Sequence, residues 1–284
     1  MTGLFTVTPN PAIDVTYTVD RQVVGETLRV RDVRRSPGGK GLNVARILAA
    51  LGRDATAVQP LGGEAGRWMA SAIADLGLKA VSCEIRSETR STVAVVDDVA
   101  HPTLLSEPGP TLASDEWRRL AEVLGRAHGG DWVVIAGSFP TGSHAEHLAL
   151  LVDAAHAAGA FVAVDTSGEL LNAAATARAD LIKANEREIL DATGTTDARE
   201  GMVRLARSGA VVVMSRGHRG AVLLDRDGTV LEQPAVPDVV GNPTGAGDAA
   251  TAGLIAALAD RRSPRTALAW ATVCGAAAVL SPVA

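Results

Sequence analysis

The chain has 284 residues, 47% apolar and 21% charged, enough for one large α/β domain and too apolar for a disordered chain. A net charge of −5 excludes the basic face of a nucleic-acid binder, and 3% aromatics leave few rings for stacking bases. Cys83 and Cys274 are too far apart in sequence for a metal-ligand spacing and read as reduced thiols.

No charged segment followed by an apolar run marks residues 1–14 as a signal peptide, and the apolar stretch 267–280 is about a third short of a membrane span. These features predict a soluble, cytoplasmic protein with no membrane or nucleic-acid partner. The chain has only three lysines among its 27 basic residues: Lys40, Lys79 and Lys183. Lysine is a swivelling point charge where arginine is a rigid fork, and two of the three fall inside motifs.

A β-rich run at 5–8 opens the chain, and 13–17 and 28–33 alternate as strands with no helix between. After a glycine turn, 42–51 has helical spacing, followed by a strand at 55–60 and a helix at 67–76. Residues 92–96 and 103–105 again alternate as strands without a helix. Next come helices at 115–127, 144–158 and 199–208, interleaved with apolar runs at 132–136, 161–164, 181–183 and 211–214. Two Ala-rich helices, 249–259 and 264–280, end the chain. Short continuous apolar runs suit buried parallel strands, and their alternation with helices predicts a mainly parallel sheet covered on both faces. The four strands outside that rhythm predict a small separate sheet, drawn from about 12–36 and 88–107, set as a lid over the carboxyl edge of the main sheet. Residues 1–284 read as one such domain.

The sharpest motif is residues 242–253 (NPTGAGDAATAG). Gly245, Ala246 and Gly247 precede a helical run, so their backbone N–H groups can converge on an anion at a helix N-terminus. Asp248 falls on the first helical turn, awkwardly close to gathering negative charge unless it accepts a proton from an attacking hydroxyl. Plain helix capping by Asp248 is the alternative. A dinucleotide fingerprint also fits the letters, but it needs a second strand where a second helix follows. The other motif is residues 37–43 (PGGKGLN), whose glycines permit close backbone approach to a ligand and whose Asn43 offers donors and acceptors to hydroxyls. It is not a phosphate-binding loop of the type ending in Gly-Lys-Ser/Thr, because Lys40 precedes the last glycine.

Together the two segments resemble the paired signatures of the ribokinase-like carbohydrate kinases, in the right order and about two hundred residues apart. Further stretches are similar to the phosphofructokinase B branch: TPNPAID at 8–14, TR at 89–90, EPGP at 107–110, GSFPTG at 137–142, DTSGE at 165–169 and KANERE at 183–188. Within that branch the likeness is greatest to 1-phosphofructokinase and tagatose-6-phosphate kinase. The resemblance implies a ribokinase-like α/β fold, an ATP- and Mg2+-dependent sugar-phosphate kinase, and a homodimer joined through the lid. The reaction expected first is fructose 1-phosphate to fructose 1,6-bisphosphate. Tagatose 6-phosphate, fructose 6-phosphate, an unphosphorylated sugar and a catalytically silent sugar-phosphate sensor are the alternatives.

Carried onto this sequence, the resemblance makes Asp248 the general base and Gly245, Ala246 and Gly247 the donors that hold the transferring phosphoryl charge. Asp14, Gly39 and Asn43 grip the sugar hydroxyls, while Lys40 and Arg90, with Arg29 as a weaker candidate, hold the phosphate the sugar already carries. On the nucleotide side Lys183 approaches the ATP phosphates, Asn185 and Glu188 organise Mg2+ through water, and Ser215, Gly217 and Gly220 line the groove. Ordinary helix capping by Asn185 and Glu188 is again the plain alternative. Asn242 and Thr244 supply backbone carbonyls for a K+ ion. Three departures stand out: Ala184 replaces a usual Pro, Ser106 a usual Asn, and the sequence ends at Ala284, where relatives continue by a further helix that frames the adenine pocket and the cation site.

Overall fold

The structure, a computed structural model, describes residues 2–99 and 102–281. The chain begins with β1 (Leu4–Val7), leaves for β2 (Ala12–Val19) and β3 (Val30–Gly38), and returns through α1 (Lys40–Ala50), β4 (Thr56–Leu61), α2 (Gly63–Asp75) and β5 (Lys79–Glu84). It leaves again for β6 (Arg90–Val96) and β7 (Thr103–Ser106). It then alternates α3 (Ser114–Leu124), β8 (Trp132–Ala136), α4 (Ala145–Ala157), β9 (Phe161–Asp165), α5 (Glu169–Thr176), β10 (Leu181–Asn185), α6 (Glu186–Thr193), α7 (Ala198–Ala206) and β11 (Val211–Ser215). Two short strands, β12 (Ala221–Leu224) and β13 (Val230–Gln233), precede the closing helices α8 (Ala246–Ala259) and α9 (Pro264–Val279).

Nine strands form the main sheet in the order β13-β12-β11-β10-β9-β8-β1-β4-β5. The seven from β11 to β5 are parallel, and β12 and β13 run antiparallel at one edge. The chain works outward from β1 through β4 and β5, then resumes on the other side with β8. The carboxyl ends of β1 and β8 therefore flank a topological switch point, the place where such sheets bind ligands.

Strands β8 and β9 are buried through almost their whole length because helices cover both faces. One face carries a core built on Trp117, Leu120, Leu148, Leu151 and Leu205, the other a core built on Leu42, Leu48, Met69, Leu254 and Leu268. With few aromatics, the second core depends on alanine and glycine. A side chain added at Gly253 of α8 would meet the Trp270 carbonyl and Cys274 of α9 at 2.7 Å, so small residues are what let these two helices touch.

The small sheet has the order β3-β2-β6-β7, with β2 and β6 parallel and the outer pairs antiparallel. Its second expected strand, 28–33, is displaced: β3 runs from Val30 to Gly38 and ends in the glycine turn. Residue alternation hides this, because β3 is exposed from Val30 to Ser36 and its register comes from pairing with β2, Ala12 opposite Gly38 and Val19 opposite Val30. The expected strands 13–17, 92–96 and 103–105 fall inside the longer β2, β6 and β7, and residues 100 and 101 lie outside the described ones. Strands β5 and β13 escape a periodicity reading because each is a half-solvated edge. The fully buried β12 does not signal its antiparallel direction by composition.

Candidate active site

Helix α8 begins beside the carboxyl ends of β9 and β10, whose Asp165 and Lys183 meet its first turns. Its N-cap, Gly245, is left-handed at φ 78°, which a side chain there would strain. The Ala246 N–H, expected to face an anion, donates instead to the Pro243 carbonyl at 3.1 Å and closes the turn. Among the described residues the N–H groups of Gly245 and Gly247 have no acceptor, so two of the three expected donors stay open.

Asp248 follows on the first turn, 6% exposed, and accepts a hydrogen bond from Asn43 Nδ2 at 2.8 Å across 205 residues of sequence. Burial pushes its carboxyl above the usual range; the Asn43 bond, Lys40 and Lys183 pull the other way, and the neighbouring Asp165 adds to the rise. A capping Asp would bond the N–H groups of its own helix. Asp248 sits inside the first turn and bonds α1 instead, so the capping reading loses its basis.

Lys40 opens α1. Its Nζ lies 3.4 Å from Asp165 Oδ1, and Asp165, Glu188 and Asp248 all raise its proton affinity. The charges acting on Arg90 are different ones, Asp14 and Glu107. The two cations expected to share one phosphate have different partners in the protein: Lys40 reaches Asp165 at the carboxyl end of β9, and Arg90 stays at the root of the lid. Arg90 donates from Nε and Nη2 to the Asn10 carbonyl at 3.3 and 3.1 Å, and from Nη1 to the Glu107 carbonyl at 2.6 Å.

The glycines of the 37–43 segment sit where the protein itself leaves no room for a side chain. A side chain at Gly38 would collide with the Asp14 carboxylate, one at Gly39 (φ 124°) with Thr8, and one at Gly41 with the Val7 carbonyl. Asp14, pressed against Gly38, has its carboxyl pushed up to about 6 by burial, with Arg90 and Arg46 partly opposing. Arg29 is exposed and has no place among these contacts.

Asn10 lies in the TPNPAID stretch, and its residue type alone assigns it no task. It is 4% exposed, and its Nδ2 donates to the Pro108 carbonyl at 3.0 Å and the Phe139 carbonyl at 3.3 Å. It thereby ties the lid's return segment to the loop after β8. Beside it opens a cleft of about 330 Å3 lined by Ser138, Phe139, Ser143, Thr166, Ser167 and Glu169, at the carboxyl ends of β8 and β9.

On the side expected to hold the nucleotide, β10 and β11 place Asn185 opposite Ser215. Asn185 and Glu188 form a reciprocal cap of α6: Glu188 N–H donates to Asn185 Oδ1 at 2.9 Å and Asn185 N–H to Glu188 Oε2 at 2.7 Å. The plain capping reading therefore holds as geometry, and it leaves Glu188 Oε1 without a partner among the described residues. Gly217 and Gly220, at φ 57° and 83°, turn the loop after Ser215, and an Arg219–Glu186 ion pair fastens that loop to α6. Lys183 is buried, with Nζ on Asp165 Oδ2 at 2.8 Å and on the Gly247 carbonyl at 3.1 Å, so two of its three protons are already engaged. Asn242 and Thr244 lie on an exposed turn in which Thr244 N–H donates to Asn242 Oδ1 at 3.0 Å, leaving both backbone carbonyls open.

No group of three His, Cys, Asp or Glu that could hold a metal exists among the described residues. A single free carboxylate oxygen at Glu188 nevertheless fits a hard cation that keeps phosphate oxygens and water as its other ligands, the usual state of Mg2+.

The pfkB family carbohydrate kinase profile matches residues 8–284. The chain is 33% identical to the ATP-dependent 6-phosphofructokinase isozyme 2 of Escherichia coli (strain K12), over 99% of this chain and 94% of that protein. It is 38% identical to a 1-phosphofructokinase of Rhodobacter capsulatus, over 88% and 82%. A crystal structure of phosphofructokinase-2 from Escherichia coli in complex with potassium superposes with a TM-score of 0.93 at 31% identity, covering 99% of this chain and 94% of that one.

Proposed function

The chain belongs to the pfkB family of carbohydrate kinases, and from that premise we propose that it transfers the γ-phosphate of ATP to a hydroxyl of a ketohexose phosphate. Fructose 1-phosphate is the first substrate proposed, with fructose 1,6-bisphosphate as product. The observation that carries the reading is Asp248: a buried carboxylate of raised proton affinity, held by Asn43 beside open backbone amides and two lysines.

The chemistry assigned to these residues follows from their placement. Asp14 and Asn43 hold sugar hydroxyls, and Gly39, which lies between them at the start of α1, lets the acceptor approach the backbone. Arg90 meets the phosphate already on the sugar, giving up its carbonyl partners in exchange for a charged one, which is the stronger bond. Asp248 takes the proton from the attacking hydroxyl, a task suited to a carboxyl of raised proton affinity. The Gly245 and Gly247 amides, with Lys40 and Lys183, stabilise the charge that spreads over the transferring phosphoryl group, which is where most of phosphoryl-transfer catalysis lies. Mg2+, held through Glu188, Asn185 and water, would neutralise the ATP phosphate oxygens. The loop of Ser215, Gly217 and Gly220 lines the nucleotide groove. The Asn242 and Thr244 carbonyls suit a K+ ion, and the potassium complex of the Escherichia coli protein supports testing it.

We assign the protein to the cytoplasm, where ATP is supplied; no described helix is long and apolar enough to cross a membrane. We also propose a homodimer through the lid. One lid face carries the rows Val33–Tyr17–Val95 and Val15–Val93–Leu105; Val15 is buried against the main core, while the outer-strand residues Val33 and Leu105 are 50% and 58% exposed. Exposed apolar strands of this kind need a cover.

The test is ADP release with MgATP, with and without K+, against fructose 1-phosphate, fructose 6-phosphate, tagatose 6-phosphate, fructose and ribose. Preference for one phosphosugar, lost on Arg90→Met, supports the assignment. Turnover of free sugars alone overturns the phosphate role of Arg90. Binding of a phosphosugar with no turnover of any substrate points to the silent sensor.

A further inference from the structure

Asp165 ends β9 with its side chain 2% exposed. A lone carboxylate at that depth would be protonated. Burial does push it that way, but Lys183 and Lys40 outweigh it and hold the carboxyl below its usual range. Its partners come from three different elements. Lys183 Nζ of β10 lies 2.8 Å from Oδ2, the Thr251 hydroxyl of α8 lies 2.7 Å from the same oxygen, and Lys40 Nζ of α1 lies 3.4 Å from Oδ1. A fourth tie is the Asp165 carbonyl, which accepts the Gly137 N–H at 2.9 Å after β8.

These contacts run on into the catalytic turn. Lys183 Nζ also donates to the Gly247 carbonyl at 3.1 Å, and the Thr251 hydroxyl lies 3.1 Å from that same carbonyl. Gly247 precedes Asp248 and carries one of the two open amides. The Asp165 carboxylate therefore reaches the backbone of the transfer site through one intervening side chain on each of two paths. Buried ion pairs contribute little to stability compared with apolar packing. A charge shared by two lysines and a hydroxyl, of which Lys183 and Thr251 also reach the carbonyl of Gly247 at the helix N-terminus, is better explained by the geometry it enforces.

We propose that Asp165 is a positioning residue for phosphoryl transfer: it ties Lys40, Lys183 and the first turn of α8 into one unit and so aims Asp248 at the acceptor hydroxyl. The proposal rests on the kinase reading of the same site.

Asp165→Asn keeps the shape and removes the charge. The groups facing Asp248 are Asn43 and Lys40 of α1, Asp165 of β9 and Lys183 of β10. Without Asp165 the lysines act on Asp248 uncompensated. The expected result is a fall in kcat of about 100-fold with KM for the phosphosugar nearly constant, and an acid limb of the kcat/KM profile shifted to lower pH. Thr251→Val removes one tie and leaves the charge, so it should lower kcat by a smaller factor with the limb in place, and Thr251→Ser should restore it.

A second readout needs no substrate. Protein labelled with 13Cε-lysine has three lysine resonances, from Lys40, Lys79 and Lys183. Asp165→Asn should move the Lys40 titration midpoint down, with Lys79, paired with Asp54 at the surface, serving as the assignment reference. If the variant loses only thermal stability, with kcat per folded molecule, the pH limb and the Lys40 midpoint unchanged, Asp165 is structural and the proposal is overturned. If it does not fold, an unaltered kcat in Thr251→Val overturns it equally. Wild-type protein that turns over no sugar defeats the kinase reading instead, and the lysine titration still decides whether Asp165 holds Lys40.

Discussion

Asp14 offers a test in which stability and function move in opposite directions. Burial lifts its carboxyl from 3.8 to about 6, with Arg90 and Arg46 too weak to cancel the effect. Between those two values the folded protein holds a proton that the unfolded chain has released. Stability therefore falls as pH rises through that window and stays lower above it. At about 1.36 kcal/mol per tenfold change in proton affinity, the loss reaches about 3 kcal/mol, trimmed toward 1–2 by the water that still touches the group. Asp14→Asn keeps the shape and deletes the titration. Urea unfolding of both proteins at pH 4 and pH 7.5 measures it: the difference in unfolding free energy should shift in favour of the variant by about 1–3 kcal/mol between the two pH values. Using that change with pH, rather than either single value, removes whatever the amide does to local packing. In the same variant kcat/KM should drop by about 10- to 100-fold through loss of a charged hydrogen bond to a sugar hydroxyl. A stability difference that is constant with pH would refute the assignment of Asp14 as a destabilised buried carboxylate.

Three other outcomes are expected. Asp248→Asn should lower kcat by at least about 10²- to 10⁴-fold while phosphosugar affinity, read by calorimetry, changes only a few-fold; a variant that turns over normally excludes Asp248 as the base. Gly41→Ala, which forces a methyl against the Val7 carbonyl, should cost about 1–3 kcal/mol and lower Tm by several degrees in a thermal melt. Leu105→Glu, placed on the exposed lid face, should shift the mass seen by light scattering from dimer to monomer with Tm of the separated chain little changed. An unaltered mass would move the interface elsewhere.

Much of the main sheet is visible in the sequence because a parallel strand buried on both faces must be continuously apolar, and residues 132–136 and 161–164 are. The same logic fails at the edges. β5 and β13 are half-solvated, and β3 is exposed through Ser36, so their residues are under no periodic demand and pairing with a neighbour sets their limits.

The candidate site divides similarly. Residue identity marks Asp248, Asn43 and the glycine segments, since anion binding at a helix start and close backbone approach admit few residue types. Identity does not say what a glycine is close to, and the 38–41 glycines turn out to make room for Asp14, Thr8 and Val7. Nor does it reveal partners. Asn43 meets Asp248 across 205 residues, Asn10 joins two loops, and Lys40 parts from Arg90 to join Lys183 on Asp165. The sequence by itself determined the chemistry available, because side-chain type is a local property. Only the tertiary structure decided which charges share a low-dielectric pocket, because a pairing energy depends on distance and burial, and the fold alone supplies both.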